Sequence, residues 1–264
     1  MSAKQTLCFW NGNKSLARQR YELALLQACL ASSEPALVVE VDTTDYPRAE
    51  DEADVFSRGI DILVTVAGNK KFANRRKIAI HTPLAKGLLG YRLLIVRDEM
   101  LPAFKLINSA AQLRELALGI PLTWADADLF RHNGYNVVER GTFDSLFERL
   151  RQGEFDYVAL GANEIEAVFE QHAAALGGLC MEPSMLLYYP FPLVFYVHAE
   201  QPALARRIEV GLASMMRNGE FDALFSQYHG DVVQRLQLLQ RQRIVLHNPL
   251  LPDAMAGFES TLLD

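Results

Sequence analysis

Short apolar runs and stretches of helical period alternate along the first two thirds of the chain. Gln5 to Trp10 has the character of a strand. After it, Ser15 is placed to cap a helix that carries Leu16, Leu23, Leu26 and Leu30 on one face. Ala36 to Val41 is a second strand, Arg48 to Arg58 a second helix ended by Gly59, and Asp61 to Val66 a third strand. The same order then recurs. Leu116 to Leu122 is strand-like, Trp124 to His132 a short helix, and Asn136 to Arg140 a strand. Thr142 caps a helix whose Phe143, Leu146, Phe147 and Leu150 share one face, with Gly153 at its end. Asp156 to Leu160 closes the unit.

Two strand-helix-strand-helix-strand units predict two lobes, because parallel strands need crossover helices between them. One larger doubly wound sheet is the alternative. Tyr91 to Val96 forms a strong β run between the units, and Leu186 to Val197 forms another, broken by Pro190 and Pro192. A helix from Pro202 to Asn218 follows, with Leu204, Ile208, Leu212 and Met215 on one face, and a helical stretch runs on to about Arg241. If this tail returns to the first lobe, residues 1–95 and 193–264 make lobe 1 and 96–192 make lobe 2. The chain then crosses between lobes twice, which suits a hinge that closes on a ligand.

The 264 residues are half hydrophobic and 22% charged, the composition of a folded globular protein. A formal charge of −6 argues against a nucleic-acid surface. Lys70-Lys71 and Arg75-Arg76-Lys77 form the one dense basic patch, either a solvated loop or a ligand-capturing one. Cys8, Cys29 and Cys180 are far apart and form no CxxC pair; with Cys8 in an apolar strand and Cys29 in a helix they read as buried thiols, and they leave the redox compartment open. None of the six histidines falls in an HxxxH or HExxH pattern, so the sequence supports neither a metal nor any other cofactor. No nucleophile elbow, dinucleotide fingerprint or phosphate loop is present. The segment Met1 to Trp10 lacks the pattern of a signal peptide, leaving a cytosolic protein or a processed form.

In parallel sheets, ligands bind beyond the carboxyl ends of the strands. This singles out Trp10-Asn11, Gly68-Asn69, Thr123-Trp124 and Gly161-Asn163-Glu164 as ligand-binding candidates. Trp10 is a stacking surface or core. Thr123 caps the helix at Trp124 or meets the ligand, and Asp126 in the first turn serves that helix more than a ligand. Asn163 or Glu164 accepts from a ligand ammonium or amide, although Glu164 equally suits the start of the helix at Ile165. Arg75 offers the paired donors that grip a carboxylate. Arg92 and Arg97 border the crossing strand and read as salt bridges between lobes.

With these residues in place, the chain resembles the type II periplasmic solute-binding proteins, in particular the amino-acid-type substrate-binding proteins of ABC transporters. The likeness rests on Pro83-Leu84-Ala85-Lys86-Gly87-Leu88-Leu89-Gly90-Tyr91-Arg92, Trp124-Ala125-Asp126, Phe143 to Leu150 with Phe155-Asp156-Tyr157, Gly161 to Glu164, Tyr189-Pro190-Phe191-Pro192, and Asn248-Pro249-Leu250-Leu251-Pro252. It implies two α/β lobes, the first discontinuous, joined by a two-stranded hinge. It also implies a periplasmic, monomeric protein, with its signal peptide removed, that holds a small polar, amino-acid-like ligand in an interlobe cleft. The implied partner is an ABC-type permease, and no catalysis is implied. Relatives place a carboxylate-gripping Arg eight residues before a Pro, which is Arg75 or, with a shifted gap, Arg76. Their Thr three residues before it is Phe72 here, and a frequent basic residue at the second-lobe strand end is Leu160. The ligand-reading domain of a signalling receptor is the alternative on the same fold. A cyclohexadienyl-dehydratase-like enzyme, with Glu164 as its acid or base, is a third reading.

Overall fold

The structure is a computed structural model that describes residues 5–31 and 36–263. In chain order its elements are β1 (Gln5–Trp10), α1 (Leu16–Leu30), β2 (Leu37–Asp42), α2 (Ala49–Ala53), β3 (Ile62–Val66), β4 (Lys77–Ile80) and β5 (Tyr91–Arg97). They continue with α3 (Leu101–Phe104), α4 (Ala110–Arg114), β6 (Ala117–Ile120), α5 (Asp126–His132), β7 (Asn136–Glu139), α6 (Phe143–Arg151) and β8 (Tyr157–Gly161). Last come α7 (Ile165–Val168), β9 (Leu179–Met181), β10 (Met185–Tyr188), β11 (Leu193–His198), α8 (Pro202–Asn218), α9 (Glu220–His229), α10 (Val232–Arg235) and β12 (Gln242–Val245). Among the described residues, no helix is long and apolar enough to cross a membrane.

Two compact units result. The first comprises residues 1–86, 192–231 and 252–257, and the second 87–191, 232–251 and 258–264. These bounds depart from the sequence expectation in two places. Tyr91–Arg97 is no crossing strand but pairs with β8, β9 and β10 inside the second unit. The tail does not all return to lobe 1, because β12 pairs in parallel with β10.

The first unit holds a five-stranded sheet of order β2-β1-β3-β11-β4. Its β1, β2 and β3 are parallel, whereas β11 runs antiparallel to both β3 and β4. All five side chains of β3 are buried, as expected for a central strand covered on both faces. Ser15 caps α1 as expected, its side chain accepting from Arg18 N. The buried face of α1 differs from the reading: Leu16 is exposed, while Tyr21, Glu22, Leu25, Leu26, Cys29 and Leu30 are buried. The expected helix over 48–58 breaks at Asp54 into α2 and a tighter 3₁₀ turn, which turns Val55 and Phe56 inward.

The second unit holds a seven-stranded sheet of order β12-β10-β5-β8-β6-β7, with β9 beside β5. Strands β6, β7 and β8 are parallel, with α5 and α6 as the helices between them, and β5 runs antiparallel to β8. Thr142 and Ser145 form a reciprocal capping box at the start of α6, and Gly153 takes the left-handed conformation just past its end. The Leu186–Val197 run divides at Tyr189–Pro192 into β10 of this sheet and β11 of the other. Both units are therefore α/β, each a parallel strand-helix-strand core extended by antiparallel strands.

Candidate functional site

In the first unit, β1 and β3 are adjacent, so Trp10-Asn11 and Gly68-Asn69 follow the carboxyl ends of neighbouring parallel strands. Trp10 is only 2% exposed and donates its indole N–H to the Thr44 carbonyl at 2.9 Å, so it belongs to the core. Asn11 is buried and gives its Nδ2 to the Gln19 carbonyl at 2.9 Å, which fixes the amide and leaves Oδ1 without a partner. Gly68 has φ +77° and donates its N–H to the Tyr196 hydroxyl. Asn69 Nδ2 donates to Thr65 Oγ1 at 2.8 Å, and its Oδ1 caps the turn at Lys71 N. Arg75 is exposed and paired with Asp54 at 2.9 Å. Arg76 is exposed as well, and Phe72 is fully buried.

Sequence reasoning missed the charges behind these strand ends. Lys14 Nζ lies 2.7 Å from Glu22 and 3.2 Å from the Val64 carbonyl, with side-chain exposures of 3% and 1% for the ion pair. Arg18 pairs with the other Glu22 oxygen, while Glu52 accepts from both Asn13 and Lys71. Burial lowers the Lys14 pKa, and Glu22 partly offsets that effect. One signal for this cluster was legible: Glu22 adjoins Tyr21 and precedes Leu26 by one turn, which puts an acid on an apolar helix face.

In the second unit, Thr123 and Trp124 follow β6, and Gly161 ends the neighbouring β8. Helix α5 begins at Asp126 with Ala125 at its N-cap, so Thr123 does not cap it. Thr123 instead has φ +72°, and its N–H donates to Glu139 Oε1 at 3.2 Å. Trp124 is half-buried and stacks on Phe143, with ring centroids 5.8 Å apart and planes 20° from parallel. Glu164 is the N-cap residue of α7, as its helix-start reading required, and gives that cap no side-chain hydrogen bond.

At the centre of this unit stands Arg92, near the start of β5. The reading of Arg92 and Arg97 as bridges between lobes is corrected, because both are satisfied inside the second unit. Arg97 donates to the Leu150 and Phe155 carbonyls and pairs with Asp156. Arg92 pairs with Asp126 at 3.0 Å and gives its Nε–H to the Tyr189 hydroxyl at 2.7 Å. Its guanidinium carbon lies 5.5 Å from the Tyr189 ring centroid and 5.4 Å from that of Phe191, within range of cation–π attraction. Burial works against the Arg92 charge, but Asp126, Tyr189 and Glu164 outweigh it and hold the guanidinium above its ordinary pKa. Burial likewise raises the Tyr189 phenol far above its usual value, so it stays protonated.

Gly161 brings the two halves of this site together. A Cβ there would fall 2.3 Å from Asn163 Oδ1, 3.0 Å from Leu89 Cδ1 and 3.4 Å from Arg92 Nη1. Asn163 Oδ1 is buried without a hydrogen-bond partner, a costly state for an acceptor. An arginine nitrogen and a carbonyl oxygen without a partner thus both lie close to Gly161 at the carboxyl end of β8, a donor and an acceptor that suit a group able both to accept and to donate hydrogen bonds. Among the described residues, no three His, Cys, Asp or Glu side chains gather as a metal site.

No protein-family model matches the sequence, and no curated protein matches it closely enough to count as a relative. Solved structures do match in fold. One comes from work on glutathione import via GshT and a cystine ABC importer in Streptococcus mutans. It is 13% identical and aligns over 86% of this chain and 95% of its own, with a TM-score of 0.60. An ancestral arginine-binding protein bound to arginine is 17% identical over 85% of this chain and 98% of its own, with a TM-score of 0.59. A histidine kinase sensor domain with similarity to periplasmic binding proteins is 15% identical over 87% and 98%, with a TM-score of 0.61. The chain thus has the fold of the type II periplasmic binding proteins, of the kind found in amino-acid ABC transporter substrate-binding proteins.

Proposed function

We propose that this protein is an extracytoplasmic solute-binding protein that captures a small polar, amino-acid-like ligand and passes it to an ABC-type permease. The observation that carries the reading is the free Asn163 Oδ1 beside Arg92 at the carboxyl end of β8, where ligands of parallel sheets are held. An ammonium or amide N–H would satisfy Asn163, and an acceptor on the same ligand would face Arg92. In this reading Thr123, Trp124, Gly161 and Glu164 complete the contacts of the second unit. Asn11, Gly68 and Asn69, which follow strand ends over the buried Trp10, are the candidates of the first unit, and Arg75 is its candidate grip for a carboxylate. The neighbours' amino-acid ligands support the same class. The protein acts as a monomer, with no cofactor and no chemical step.

A thermal-shift screen of amino acids, polyamines and small carboxylates tests the proposal. A micromolar ligand binds with about −8 kcal/mol, and at ~100 times its dissociation constant it adds about 2.7 kcal/mol of apparent stability. At least one compound is expected to raise the melting temperature saturably. Silence from the whole set at millimolar concentration contradicts the reading for these classes.

The sensor-domain neighbour favours a second reading, in which the same ligand-binding unit reports to a signalling partner. Transport of the identified ligand by vesicles carrying the cognate permease, dependent on added protein, separates the two. The enzyme reading predicts loss of the prephenate or arogenate ultraviolet signal on incubation, and the proposed function predicts none.

A further inference from the structure

His132 ends α5 and His247 follows β12, yet His132 Nε2 and His247 Nδ1 lie 3.2 Å apart in the second unit. The rings are tilted by 41°, with centroids 5.2 Å apart, and both side chains are exposed. Their backbones are fixed. Asn133 Nδ2 donates to the His247 carbonyl at 2.7 Å, and His247 N donates to Asn133 Oδ1 at 2.9 Å. That amide is itself anchored to the Leu129 carbonyl at 2.8 Å. On the other side, buried Asn248 donates to the Pro190 carbonyl at 2.8 Å. The segment at His247 is therefore held from both flanks, and the two imidazoles are brought together by the fold.

We propose that His132 and His247 form a surface site for a divalent transition-metal ion of the Cu(II), Ni(II) and Zn(II) class. Imidazole nitrogens bind such ions at about 2.0–2.1 Å. At that bond length, nitrogens 3.2 Å apart subtend roughly 100° at the metal, between square-planar and tetrahedral angles. The two nitrogens that face each other belong to separate rings, so both lone pairs are available once the single proton between them is displaced. Solvent access leaves the remaining coordination positions to water. Hard ions such as Mg²⁺ and Ca²⁺ prefer oxygen ligands and are excluded from the class. Asn133 is the positioning residue, since it sets the His247 backbone against the end of α5. A bound ion would tie α5 to the segment after β12, on the opposite side of that helix's sequence from the ligand loop at Thr123-Trp124.

Isothermal titration of the chelator-treated full chain with Cu(II), Ni(II) and Zn(II), joined to Cu(II) electron paramagnetic resonance, tests the site. One equivalent is expected to bind, with superhyperfine splitting from two nitrogens. His132→Asn and His247→Asn should each weaken binding by at least about tenfold, and Asn133→Ala by about tenfold. The double histidine variant should abolish it, while His81→Asn, at another exposed histidine, should not. All histidine variants keep the metal-free melting temperature, because both rings are exposed. Nitrogen splitting from fewer than two rings, or equal affinity in the wild type and both single variants, overturns the proposal. The wild-type spectrum alone suffices for the first of these results, whatever the variants do.

Discussion

Arg92 and Asp126 form an ion pair at 3.0 Å with side-chain exposures of 3% and 7%, linking the antiparallel strand β5 to the first turn of α5. Few charge pairs in the second unit are so deeply buried. The Tyr189 hydroxyl completes the pair by accepting from Arg92. The relationship fixes the loop after β6 relative to the strand whose arginine lies close to Gly161.

Breaking this pair from one side should cost far more than removing it. Asp126→Ala leaves a buried guanidinium uncompensated, an expected loss of about 3–5 kcal/mol. Arg92→Met combined with Asp126→Leu should recover most of that stability, since buried pairs often gain little over apolar packing. The chain has two tryptophans, Trp10 and Trp124, one in each unit. Urea unfolding followed by Trp124 fluorescence in a Trp10→Phe background therefore reports on the second unit. Equal losses in the single and double variants would refute the argument.

Gly161→Ala tests the close packing of Asn163 over β8. Its Cβ would meet Asn163 Oδ1 and Leu89 Cδ1 at 2.3 and 3.0 Å, so overpacking of about 1–3 kcal/mol is expected. The ligand identified by thermal shift should bind at least tenfold more weakly. Unchanged affinity would place the ligand elsewhere.

Arg75 offers a contrast between stability and binding. Its exposed pair with Asp54 should contribute no more than about 1 kcal/mol. As the proposed carboxylate grip, it should nonetheless weaken binding of a carboxylate ligand by tenfold or more on mutation to Ala. Calorimetric titration beside a melting curve reads both. Loss of stability without loss of affinity would remove Arg75 from the site.

The thiols give a pH prediction. Burial pushes Cys29 up to about 12, and burial followed by Asp98 pushes Cys180 up to about 12. A raised thiol pKa means fewer thiolates in the folded state. At pH 8.5 the folded thiolate fraction is then on the order of one in a few thousand, against about half for an ordinary thiol. Native alkylation of both should be slow and should rise about tenfold per pH unit up to pH 11. Urea should make all three cysteines react. Rapid native labelling of Cys29 at pH 8.5 would contradict the burial.

Elements with strong local signals were legible in the residues themselves. Strand β1 and helix α8 fall at the expected bounds, α8 because Pro202 opens it and Gly219, at φ +84°, ends it. Strand β12 was not legible. Only Ile244 of its four residues is buried, so Gln242-Arg243-Ile244-Val245 carries no alternating pattern, and the expected helical stretch stops at about Arg241, just before it. The helical period places Glu22 on the apolar face and one turn from Arg18, but its burial also depends on Lys14, which lies outside the helix and which no helical period encodes. The strand-end loops were legible from parallel-sheet logic. The Arg92–Asp126 contact was not, because its two residues come from elements 34 positions apart.

The most direct test is isothermal titration of the ligand found by the screen into wild type and Asn163→Ala. Asn163→Ala should keep its fold and lose affinity by about tenfold or more, as befits an acceptor whose partner is the ligand. Identical affinity in the two proteins would contradict the account, because the free oxygen beside Arg92 would then be no part of binding.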